Sequence, residues 1–102
     1  MTPQRLYIIT RADLNNGLKT AQACHAAIES AQKLDLSKTE TPYVIILEAR
    51  NQLHLNDVLE RVNEKTKVVS FKEPDLEDEL TAIGFVENSE TSFITRKLQL
   101  VK

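Results

Sequence analysis

The chain has 102 residues, 41% of them hydrophobic and 27% charged, with a formal net charge of −2. That is apolar material for one core rather than two, and the charge balance excludes the strongly basic character of an avid nucleic-acid binder. A single cysteine, Cys24, excludes an internal disulfide, and no second cysteine joins the two histidines in zinc-ligand spacing.

In chain order, Leu6-Tyr7-Ile8-Ile9 is a short β-favouring apolar run that suits a central strand buried on both faces. Asp13 to Gly17 breaks the pattern. From Lys19 to Lys33 the alanines, Ile28 and Leu34 recur with helical spacing, and Gly17 just ahead is expected to ease a tight entry into that helix. After the polar linker Asp35 to Pro42, Tyr43-Val44-Ile45-Ile46-Leu47 reads as a second buried strand. Asn51 can cap a second helix, in which Leu55, Val58, Leu59 and Val62 form one apolar stripe. Val68 to Phe71 is a third strand, Glu73 to Glu79 an acidic loop, Leu80 to Val86 a fourth strand, and Thr91 to Leu98 a last helix.

The order β-α-β-α-β-β-(α) predicts a single α/β domain spanning residues 1–102, a four-stranded mixed, mostly parallel sheet flanked by helices. Ligands of such sheets bind where a strand leads into a helix, beyond the strand C-terminal ends. Here that edge gathers the Thr10 to Thr20 segment and the loop from Phe71 to Leu80. No apolar run approaches the roughly 20 residues of a membrane span, and the opening MTPQRLYIIT has no secretory apolar region, so a cytoplasmic chain without membrane association is expected. Residues 1–33 carry Arg5, Arg11, Lys19 and Lys33 against Asp13 and Glu29, so a polyanion is expected to meet this third of the chain.

Lys19, Gln22, His25 and Glu29 lie near one face of the first helix. A solvated polar face would look the same. The functional alternative uses the helix start, whose free N–H groups and positive dipole end attract an anion, with Lys19 and Arg11 as charge partners. An unperturbed imidazole titrates near about 6.5, so His25 can accept a proton from water, with Glu29 placed to orient it. Cys24 points about 100° away from His25 and reads as small core filler, and His54 reads as surface. In KEPDLEDEL, Pro74 stiffens the exit of strand three and would hold Glu73 or Asp75 opposite the start of helix one, where a carboxylate could position water or polarise His25.

Arg11-Ala12-Asp13-Leu14, Gly17, Ala21-Gln22-Ala23-Cys24-His25-Ala26-Ala27, Val44 to Leu47 and Leu80 to Gly84 together resemble the type II peptidyl-tRNA hydrolase family across nearly the whole chain. It is most similar to a shorter variant in which a glutamate-proline-aspartate segment follows strand three. The resemblance implies a compact α/β domain, commonly a homodimer, that hydrolyses the ester between a peptide and tRNA without metal or organic cofactor. His25 and Gln22 match the family's histidine and glutamine. The better-known members carry a lysine directly after the glycine, where this chain has Leu18 and then Lys19. They also carry a longer aspartate- and threonine-bearing loop where this chain has EPDLEDEL.

The expected activity is therefore hydrolysis of peptidyl-tRNA or another N-blocked aminoacyl-tRNA, with His25 as general base or water-orienting group and Glu73 or Asp75 supporting it. Arg11, Gly17, Lys19 and Gln22 are the expected substrate-binding residues. The alternative is a module of the same fold that binds tRNA, a nucleotide or a protein without catalysis, which the shifted lysine, the short loop and the negative charge favour.

Overall fold

Successive strand residues point to opposite faces, so a run that is apolar at every position needs a cover on both sides. A computed structural model of the protein describes residues 4–101, so residues 1–3 and 102 of the expected domain lie outside the described residues. Strand β1 (Arg5–Arg11) is central and buried from Leu6 onward. Its Leu6 and Ile8 face one layer, and its Tyr7 and Ile9 the other.

Helix α1 (Asn16–Lys33) covers the first face and α2 (Gln52–Asn63) the second. Asn51 caps α2 by accepting the His54 backbone N–H at 2.9 Å, as its position before the apolar stripe predicts. Leu55, Val58 and Val62 are buried against Tyr7, Ile9, Ile83 and Phe85, and Leu59 packs at the margin. Phe85 is fully buried and stacks on Tyr7 across the strand pair, with centroids 5.8 Å apart. A core aromatic of this kind contributes roughly 1.5–3 kcal/mol by burial alone.

The sheet differs from the expected one in number and direction of strands. Among the described residues it has five, in the order β3-β4-β1-β2-β5, where β2 is Tyr43–Ala49, β3 Val68–Glu73, β4 Glu79–Val86 and β5 Gln99–Leu100. Of these five strands β1 and β2 pair in parallel, and the other three neighbouring pairs are antiparallel. Strands β1, β2 and β3 do run the same way. The segment after Glu73 is too short for a crossover, however, so β4 turns back beside β3 and inserts between it and β1. That connection is a 3-10 turn, Pro74–Leu76, followed by Glu77 and Asp78 in left-handed conformations. The expected last helix shortens to α3 (Ser92–Thr95), and the chain beyond it supplies β5 at the β2 edge.

On the α1 face the approach is close because small residues meet. Ala23 and Ala26 are buried there, and Gly84 of β4 leaves no room for a side chain: a Cβ would fall 2.1 Å from Ser30 Oγ and 3.1 Å from Ile8 Cδ1. Among the described residues no helix is long and apolar enough to cross a membrane.

Candidate active site

Helix α1 starts beyond the end of β1, where Asn15 is the N-cap and its side chain accepts the Leu18 N–H at 2.9 Å. Gly17 therefore lies inside the first turn, exposed and without a positive φ, and a Cβ there would meet only Asn15 Oδ1 at an ordinary 3.7 Å. The tight entry expected of Gly17 is made by Asn15 instead.

One turn further in, Gln22 is buried between α1 and the sheet and uses both ends of its amide. Nε2 donates to Glu73 Oε2 at 2.7 Å, while Oε1 accepts the Thr81 hydroxyl at 2.7 Å. Thr81 is available because the β3–β4 register slips there: Phe71 pairs with Ala82 and Lys72 with Leu80, which leaves Thr81 as the extra residue of a bulge. Bulges re-aim side chains, and this one turns the Thr81 hydroxyl toward α1.

Glu73 ends β3 and caps the 3-10 turn, its Oε1 accepting the Asp75 backbone N–H at 3.2 Å. The Gln22 amide first and the Asp75 N–H second hold the Glu73 carboxyl below its ordinary range; burial opposes them, and the charge of nearby His25 adds the smallest downward influence. Of the two acidic candidates, Glu73 is the one turned to helix α1. Asp75 reaches the cluster through its backbone, and the residue is exposed.

His25 lies exposed one turn after Gln22 and stacks flat on Phe71 of β3, with centroids 4.8 Å apart and ring planes 8° apart. Among the described residues neither imidazole nitrogen takes part in a hydrogen bond, so the ring is held by its face and its polar edge stays open. Glu29 does not orient it, since that carboxylate pairs with Lys33 at 3.1 Å. Cys24 is exposed rather than core, and His54 is half-buried, its Nδ1 accepting the Arg50 N–H at 2.9 Å.

The two expected cations are elsewhere engaged. Arg11 is buried and forms a two-bond clamp on Asp13, Nε to Oδ1 at 3.0 Å and Nη2 to Oδ2 at 2.7 Å. Its Nη1 also donates to Glu79 Oε1 at 2.7 Å and to the Leu80 carbonyl. The Arg11 bond holds the Asp13 carboxyl below its usual range. Lys19 points to the sheet and pairs with Glu48 of β2 at 3.0 Å, both side chains 8% exposed. Burial demands such pairing, and paired in this way neither cation is offered to a phosphate or an oxyanion.

The structure thus gathers Gln22, His25 and Glu73 and separates them from Arg11, Gly17 and Lys19. Phe71, Thr81 and Glu48 are additions. Phe71 and Thr81 sit in the strands next to the acidic loop, but the role of Thr81 depends on a bulge that has no sequence signature. Among the described residues no group of three or more His, Cys, Asp or Glu side chains is placed to hold a metal ion.

No protein-family model matches the chain, and no curated protein matches it in sequence. Among solved structures the fold is similar to that of Atu0240, a protein of unknown function from Agrobacterium tumefaciens. The two superpose with a TM-score of 0.69 over 100% of both chains at 12% identity. That likeness establishes a shared single-domain α/β fold.

Proposed function

We propose that the protein hydrolyses the ester joining a peptide, or an N-blocked amino acid, to tRNA. The observation that carries this reading is the open polar edge of His25, fixed by its stack on Phe71 beside the ionised, hydrogen-bonded Glu73. Water held at that edge attacks the ester carbonyl while the imidazole takes its proton. Glu73 stabilises the resulting imidazolium, and the proton then passes to the ribose oxygen that leaves. Gln22 positions Glu73 rather than touching substrate. The resemblance of the AQACHA segment and its neighbours to type II peptidyl-tRNA hydrolases supports the choice of ester.

A second reading, a binding module without catalysis, is favoured by one specific feature. Arg11 and Lys19, which would neutralise tRNA at this edge, are neutralised by Asp13, Glu79 and Glu48. Incubating N-acetylated aminoacyl-tRNA with the purified protein separates the two. The hydrolase releases N-acetylated amino acid and His25→Ala does not, whereas the binding module leaves the ester intact at high protein concentration and still retains tRNA in a salt-sensitive manner.

A further inference from the structure

With Arg11 and Lys19 paired, the positive charge of the fold has to be sought where cations lack carboxylates. On the α2 side of the sheet, Arg50, His54, Asp57, Arg61, Phe93 and Lys97 line a cavity of about 240 Å³ between α2 and the α3 segment. Among the described residues Arg50 and Lys97 have no carboxylate within ion-pair distance. Arg61 has Asp57 at 3.2 Å, an exposed pair on one helix face.

Phe93, 54% exposed, holds Lys97 Nζ 4.3 Å and the Arg96 guanidinium 5.0 Å from its ring centroid. A ring face stations a cation without cancelling its charge, unlike a carboxylate. His54 adds a directional donor. Because its Nδ1 accepts the Arg50 N–H, the neutral ring carries its proton on Nε2. The groove continues past Arg50, His54 and Lys97 into a second cavity beside Ala12 and Gln99, at the C-terminal ends of β1 and β2.

We propose that this groove is a phosphodiester site for an RNA strand, in which Arg50, Arg61 and Lys97 hold the backbone charge and His54 donates through Nε2. The choice of RNA among phosphate-bearing ligands rests on the proposed tRNA substrate, but the site itself does not depend on ester hydrolysis at His25. Arg50 and Lys97, which have no carboxylate, together with Arg61 beside its exposed Asp57, suit a chain of phosphates better than a single one, and the exposed Phe93–Arg96 surface offers a base a stacking partner at the rim.

The test is fluorescence anisotropy of uncharged tRNA, which has no ester to hydrolyse, at stepped salt concentrations. Three proteins are compared: the wild type, Arg50→Ala/Lys97→Ala, and Lys38→Ala/Lys65→Ala, a pair with the same charge loss outside the groove. All four side chains involved are exposed, and thermal melts confirm that each variant is folded. The groove variant is expected to weaken binding by about tenfold or more at low salt and to lower the log–log salt slope by about 2, while the control pair changes little. Equal loss in both pairs, no loss in the groove pair, or no tRNA binding by the wild type at low salt overturns the proposal. So does a groove variant that loses affinity for a free mononucleotide while keeping that for tRNA.

Discussion

Gln22 and Glu73, 51 positions apart, share a 2.7 Å hydrogen bond that ties helix α1 to the end of the edge strand β3. The other end of the same amide is held by Thr81, so one buried side chain sets both the carboxylate and the bulge. Gln22→Leu removes both partners at once and leaves the Thr81 hydroxyl buried. A loss of about 1–3 kcal/mol in urea unfolding is expected. In the folded variant the Glu73 carboxyl, freed from its largest downward influence, titrates higher, toward the ordinary range, as NMR of the side-chain carboxyl would register. An unmoved Glu73 titration would contradict the assigned role of Gln22.

Lys19 and Glu48 are a structural pair, and their substitutions separate structure from binding. Lys19→Met alone strands a buried carboxylate and is expected to cost about 3–5 kcal/mol, whereas Lys19→Met/Glu48→Leu recovers most of that loss. Urea denaturation of the two single variants and the double variant gives the coupling directly. If Lys19 instead bound tRNA phosphate, the double variant would regain stability and lose RNA affinity.

Gly84 marks the closest approach of α1 to the sheet. Gly84→Ala forces its new methyl against Ser30 Oγ, which donates to the Ala26 carbonyl at 2.7 Å. A destabilisation of about 1–3 kcal/mol is expected. Adding Ser30→Ala removes the clashing oxygen and returns part of the loss, although Ile8 Cδ1 still crowds the methyl. Thermal melts of the single and double variants check this, and strict additivity would count against the described contact.

Burial first, then the charges of Arg50 and Arg61, hold the His54 imidazole below its ordinary value, with Asp57 opposing. The unfolded chain therefore takes up this proton at higher pH than the folded one. The His54 contribution is complete above the ordinary imidazole range and is lost as pH falls through the folded value. Urea midpoints of the wild type are expected to fall between about pH 7.5 and about pH 5.5, above the range of the carboxylates, and His54→Gln to flatten that fall. An unchanged slope in the variant would contradict the assignment.

Much of this was legible in the residues. Local periodicity placed β1, α1, β2, α2, β3 and β4, and Asn51 announced its helix. Pro74 pointed to a carboxylate, Glu73 or Asp75, held at the end of β3, and Gln22 and His25 shared a helix face three residues apart. Pairings between distant segments were not legible. Nothing in the neighbourhood of Lys19 names Glu48, 29 positions on, and charge counted along the N-terminal third included Arg11 and Lys19, which the fold neutralises. Strand order also escaped, because the hairpin that inserts β4 between β1 and β3 depends on two left-handed residues, Glu77 and Asp78, that carry no glycine. The two-residue β5 is too short to carry a periodic signal.

The most direct test of the central claim is single-turnover release of N-acetylated amino acid from charged tRNA by the wild type, His25→Ala and Glu73→Gln, each confirmed as folded. The account predicts measurable release by the wild type, a loss of about 10²–10⁴-fold in His25→Ala, and a smaller loss in Glu73→Gln, which keeps the contact with Gln22 and removes the charge. Release that is undiminished in His25→Ala, or absent from all three proteins, would contradict it.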